Sequence, residues 1–337
     1  MNEIWETNFG NNLYDFNNVF PVKSIQMAYC CFLFSSRKKL TQTNSLHGNI
    51  HSFSGKTGKT LFAREIRFFV ALSLFFTISV INGFSQKVER VVSLAPSITE
   101  NIYLLGAQDK LVGCTSYCKR AIADDVTQVG SVININVEKI LALQPDVVLA
   151  VQLTKAQDIE TLKKLGIRVE LFSTPKSFDE ICGQTREIGV LLGVENIAEQ
   201  MFEKFNNQVD SLKGVCEDIL PGLKMFFQIG ADPVFTVLPN TYMNDFILFC
   251  GAENIADSMK HGTITRESVL VKNPDIIIVA TMGGFGEKEK KIWSSYKGLN
   301  AAKNNRIYLV DSETSCSPTP NNFVKALSDI VQFVTTQ

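Results

Sequence analysis

The chain is 337 residues long, enough for two ordinary domains, with 45% hydrophobic and 20% charged residues. Its 33 basic side chains are balanced by 34 acidic ones, which removes the pull that nucleic acids and anionic membranes exert on basic proteins. No apolar stretch reaches the roughly 18 to 20 residues needed to cross a bilayer.

Residues 1–63 are rich in Asn, Ser, Thr and Lys, hold Cys30 and Cys31, and show no sustained helical or strand period. They are expected to be upstream sequence from a misplaced start, or a disordered leader. Residues 64–85 carry the pattern of a cleaved secretory signal. Arg64 and Arg67 precede the uncharged run Phe68–Ile81, and small residues lead to an exit at Ser85. No cysteine follows the run closely, so a lipid anchor is not expected, and the predicted location is periplasmic.

From Lys87 onward, short β-branched runs alternate with helical stretches. Val91–Leu94, Asp146–Val151 and Ile167–Phe172 read as strands, followed in the second half by Met225–Ile229, Asp275–Val279 and Ile307–Val310. Continuous apolar runs of this kind suit parallel strands covered on both faces. Asp158–Leu165 has helical spacing and stops at Gly166. Residues 136–151, NVEKILALQPDVVLAV, are echoed by 265–280, TRESVLVKNPDIIIVA, which pairs Glu138 with Glu267, Leu141 with Leu270, Pro145 with Pro274 and Asp146 with Asp275. A weaker echo aligns Gly106-Ala107 with Gly251-Ala252. Two such units predict two lobes of similar build, since a solenoid needs three or more at a shorter period.

Between them, Val194–Lys213 places Ile197, Met201, Phe205, Val209 and Leu212 on one face without Gly or Pro. The predicted architecture is therefore α/β: two Rossmann-like lobes, 86–193 and 214–337, joined by one long helix over 194–213, with a ligand cleft between them. Six cysteines fall in this part, and without a CxxC or a zinc-type spacing they are expected to be mostly buried thiols. Gly283-Gly284-Phe285-Gly286 follows a strand but is expected to be a loop. GxSxG, Walker, HExxH and strand-linked GxGxxG motifs are lacking, so an enzyme is not expected.

Several segments in order resemble the helical-backbone periplasmic binding proteins that serve ABC importers: Arg90–Glu100, Leu104–Ala107, Val112-Gly113, Ser116-Tyr117, Gln128–Gly130, both repeat units, Gly251–Ile255 and Trp293. The resemblance covers about residues 88–335. It is strongest to the vitamin B12-binding members, with ferric-siderophore and haem binders as relatives. It implies a monomer that holds a corrinoid between its lobes and hands it to the importer's membrane subunits, with no resident cofactor, metal or nucleic acid. Glu138 and Glu267 match the surface glutamates that meet importer arginines. Helix chemistry offers a second reading, since each follows a plausible N-cap, Asn136 or Thr265, where a carboxylate favours the helix dipole.

The implied cleft residues are Pro96, Ser97, Tyr117, Cys118 and Val132 from the first lobe, with Phe235, His261, Glu313 and Cys316 from the second. Val132 and His261 fall where B12-binding relatives carry tryptophan. His261 could approach the metal of a corrinoid or haem. The resemblance sets Cys118 and Cys316 on opposing loops, where they could pair or hold a soft metal. A role in cofactor or metallocluster handling is the alternative from another class.

Overall fold

The computed structural model describes residues 87–216, 222–281 and 284–335. The leader, with Cys30 and Cys31, and the signal segment at 64–85 lie outside the described residues. Among these, no helix is long and apolar enough to cross a membrane.

Lobe one runs β1 (Val91–Ser93), α1 (Pro96–Leu104), β2 (Leu111–Cys114), α2 (Lys119–Ala123), β3 (Thr127–Gln128), α3 (Val137–Ala142), β4 (Val147–Val151), α4 (Ala156–Lys164), β5 (Val169–Phe172) and α5 (Phe178–Leu192). Its sheet is parallel throughout, in the order β3-β2-β1-β4-β5. Successive residues of β4 feed opposite cores. Val147 and Leu149 pack with Ile98, Ile102 and Ile188, while Val148 and Ala150 pack with Ile140, Ile159 and Leu162. Burial on both faces is the reason this strand is an unbroken apolar run.

A single helix, α6 (Glu195–Cys216), then leads to lobe two. Its 22 residues span roughly 33 Å. Lobe two comprises β6 (Lys224–Ala231), β7 (Val234–Thr236), α7 (Asn244–Phe249), β8 (Glu253–Asn254), α8 (Arg266–Lys272), β9 (Ile276–Ala280), α9 (Gly286–Ser295), α10 (Asn300–Lys303), β10 (Ile307–Val310), α11 (Ser312–Ser315) and α12 (Pro320–Thr335). Its sheet is β10-β9-β6-β7, with β8 also on β6; only the β6–β7 pair is antiparallel. β9 repeats the two-sided burial of β4, with Ile276 and Ile278 in one core and Ile277 and Val279 in the other. The expected loop at 283–286 differs: Gly283 lies outside the described residues, but Gly286 begins α9 directly.

The repeat has a physical basis in both lobes. Asn136 and Thr265 cap α3 and α8, accepting from the Lys139 and Ser268 amides at 2.8 and 3.2 Å. Each helix buries its fifth repeat position, Ile140 or Val269, completely. The matched leucine is not the anchor, since Leu141 is exposed. Gln144 and Asn273 turn the chain out of each helix with φ of 46° and 47°. The aspartate that follows proline then ties the first strand of its lobe. Asp146 accepts from the Glu89 and Arg90 amides at 2.8 and 2.9 Å, and Asp275 accepts from the Lys224 amide at 3.0 Å.

The connection between lobes is broader than the one helix expected. Phe178, Ile181 and Cys182 of α5 pack in the lobe-two core with Phe205 and Val209 of α6 and Phe323 of α12, whereas Ile188 and Leu192 pack in lobe one with Ala198. Asp245 on α7 accepts the first amide of α5, Phe178, at 2.7 Å. At the other end, Lys110 Nζ donates to Leu192 O at 3.0 Å. The rod is thus a packed helix pair fastened to both lobes.

Candidate functional site

In a parallel sheet the loops after the strands gather at the carboxyl edge, and the crevice opens where strand order reverses. In lobe one the reversal falls at β1, between β2 and β4. Pro96 and Ser97 open α1 immediately after β1, with proline at the helix position where its missing amide costs nothing; both are half-buried. Tyr117 follows β2 and is 67% exposed. Its turn is held by Ser116 N donating to Gly130 O at 2.8 Å and by Lys119 N donating to Tyr117 O at 3.0 Å. Val132 is half-buried in the loop after β3. That loop closes on Gly130, whose φ of 122° and 2.4 Å approach of a would-be Cβ to Asn134 O exclude a side chain. Two further exposed apolar residues share this edge, Ile133 beside Val132 and Leu153 after β4.

In lobe two, Phe235 lies on β7, half-buried against Gly230 and Gly262, and His261 is exposed just before the Phe235–Thr263 bridge. Glu313 is exposed in α11, whose N-cap Asp311 accepts from the Glu313 amide at 3.0 Å. Tyr242 fastens this turn to the core by donating to Ser315 O at 3.1 Å.

The two edges meet through one ion pair, Lys119 Nζ with Glu313 Oε1. Lys119 opens α2 after β2 and Glu313 lies in α11 after β10, so the pair joins the carboxyl edge of one sheet to that of the other. Sequence reasoning found Glu313 but missed Lys119. The partners are 194 positions apart, and no local pattern marks a lysine for such a contact.

Cys118 occupies a different place from the other candidates. It is buried beneath the Tyr117 turn, with Thr115 and Thr99 hydroxyls each 3.1 Å from its sulfur. The neighbouring Cys114 thiol holds the Cys118 thiol below the usual cysteine range against burial, with help from Thr115 and Thr99, and Cys114 is pushed up in turn. Cys316 is half-buried on lobe two, and both it and Cys118 are free thiols. Trp293 is fully buried, donating to Gln228 Oε1 at 2.6 Å.

Glu138 and Glu267 are both exposed, each in the first turn of its helix. Next to Glu267, Arg266 reaches inward and pairs with buried Glu289 at 2.8 Å, and Glu289 also accepts from Gln228 at 2.8 Å. This network ties α8 to β6 and α9.

Two α/β lobes on a fixed helical rod, with their carboxyl edges opposed, define a solute-binding fold. The chain belongs to the periplasmic binding protein family, whose model matches residues 91–314. It is 32% identical over 235 residues to an uncharacterized ABC transporter substrate-binding lipoprotein of Bacillus subtilis, covering 67% of this chain and 73% of that one. It is 34% identical over 207 residues to the vitamin B12-binding protein of Yersinia pestis, covering 60% and 73%. Among solved structures, the periplasmic vitamin B12-binding protein of Vibrio cholerae matches at TM-score 0.63 and 24% identity, over 74% of this chain and 97% of that one. The periplasmic haem-binding protein of the same organism matches at 0.65 and 18%, over 73% and 98%. The last two likenesses speak for the fold.

Proposed function

We propose that the chain is the extracytoplasmic receptor of an ABC importer, that it captures a corrinoid of the vitamin B12 type between its lobes, and that it carries out no catalysis. The observation that bears most weight is the apolar rim at the carboxyl edge of lobe one, where Tyr117, Ile133 and Leu153 stand exposed on three successive loops. Exposed apolar groups gathered on one edge mark a binding surface, and a broad macrocycle with amide arms suits apolar walls with few polar groups. Phe235 supplies an aromatic wall from lobe two, with Pro96, Ser97 and Val132 at the floor. The vitamin B12-binding relative at 34% identity supports the same ligand.

Glu138 and Glu267 are proposed as the two docking points for basic residues of the membrane subunits. They are exposed at equivalent places on the two lobes, so a two-fold importer would meet one on each side. The test is uptake by cells carrying the importer. Reversing both charges is expected to abolish uptake while leaving ligand affinity unchanged; unaltered uptake refutes the docking role.

A second reading is haem or a ferric siderophore in the same cleft. It is favoured by exposed His261, whose imidazole is a ligand for iron as well as cobalt. A shifted Soret band on adding haem, lost in His261→Ala, would establish it.

A further inference from the structure

The thiols beneath the Tyr117 turn are not used by ligand capture, and their surroundings are unlike those of an inert core cysteine. Cys114 ends β2 and Cys118 is the N-cap of α2. The chain between them folds back through a hydrogen bond from Cys118 N to Thr115 O at 3.0 Å. Both side chains therefore enter one apolar cluster, 0% and 1% exposed. The Cys118 sulfur lies 3.1 Å from both Thr99 Oγ1 and Thr115 Oγ1, and Thr99 Oγ1 is in turn 2.9 Å from Ser93 Oγ. Cys114 makes a long contact of 3.9 Å to Val126 O, and its thiol hydrogen-bonds that of Cys118.

We propose that Cys114 and Cys118 are an oxidisable pair that closes into a disulfide within lobe one and fixes the Ser116–Tyr117 turn at the wall of the cleft. A bridge from Cys118 to Cys316 would instead draw Cys118 out of its hydroxyl cradle and weld the lobes together. Hydroxyls around a sulfur favour its thiolate, which is the attacking form. The oxidant is a disulfide, either of a small thiol or of a thiol-oxidising protein. Cys118 thiolate attacks one sulfur of that disulfide, forming a mixed disulfide and expelling a thiolate. Cys114, deprotonated, then attacks the Cys118 sulfur and expels the second thiolate. Two protein thiols become one disulfide, and the oxidant leaves as two thiols. Since both sulfurs are shut away in the folded lobe, the bond forms as the lobe folds or when the turn opens. An extracytoplasmic location, which belongs to the proposed function, supplies an oxidising compartment.

The test is independent of that location. The full chain is refolded in glutathione buffers of rising oxidised fraction, alkylated and digested with trypsin. Cleavage after Lys110 and Lys119 releases both cysteines on the single peptide Leu111–Lys119. The peptide should be two hydrogens lighter than its reduced form and unalkylated, under conditions where Cys182 is still alkylated, and equally so in Cys316→Ser. Cys114→Ser should leave Cys118 alkylated. Two alkyl groups or glutathione adducts on the peptide at every ratio, or a cross-link from it to Cys316, would overturn the proposal.

Discussion

The two lobes agree in one half and differ in the other. The β1–α3–β4 unit and the β6–α8–β9 unit share a cap, a first-turn glutamate, a left-handed residue before proline and an aspartate that ties the first strand. Beyond that unit, lobe one adds two parallel strands, β2 and β3, whose following loops carry Tyr117 and Val132. Lobe two places an antiparallel hairpin, β6–β7, at the same side of its sheet, so Phe235 comes from a strand rather than a loop. In the proposed function the shared half would present the docking glutamates, and the divergent half would supply Tyr117, Val132 and Phe235 to the cleft. A two-fold partner needs matching docking points, whereas an asymmetric ligand needs walls that differ.

Substitutions can break this division. The largest effect is expected from reversing both shared glutamates, Glu138→Lys with Glu267→Lys, which should bring uptake to background with melting temperature and ligand affinity unchanged. Glu289→Ala, in lobe two alone, leaves Arg266 charged and poorly partnered in a largely buried site. It should cost about 3 kcal/mol of stability, read by urea unfolding. Tyr117→Ala on the divergent wall should weaken ligand binding by roughly tenfold or more, about 2 kcal/mol, with little change in stability; calorimetric titration would show it. Gly130→Ala forces a side chain into the Asn134 carbonyl and should cost about 1–2 kcal/mol, with affinity falling as the Val132 loop shifts. Lys119→Met should change least, under about 1 kcal/mol in stability, because both partners of its ion pair are largely exposed.

The same division explains what could be read from residues alone. The repeated half was legible because its signals are local: caps, a proline and strands buried on both faces, all within 16 residues. The resemblance named the cleft residues, but it gave Cys118 no depth, and burial under the Tyr117 turn depends on how β2 and α2 pack. Ile133 and Leu153 were missed because an apolar residue in a loop has no periodic pattern to interrupt, and Lys119 because it opens a five-residue helix too short to show one. Their roles emerge when separate loops are gathered on one edge. The β6–β7 hairpin was missed for a related reason: Val234–Thr236 is only three residues long and follows Asp232-Pro233, which reads as a simple break. The long helix was legible as one helix, and its packing against α5 was not. Gly189 allows that closeness, since a Cβ there would stand 2.6 Å from the Ala198 Cβ.

Ligand identity is tested most directly by calorimetric titration of the purified protein with cobalamin, cobinamide, haem and a ferric siderophore. Cobalamin and cobinamide are expected to bind one to one at micromolar concentration or tighter, with the Tyr117→Ala protein weaker for both. Saturable binding of haem or the siderophore, with no heat from either corrinoid, would contradict the account.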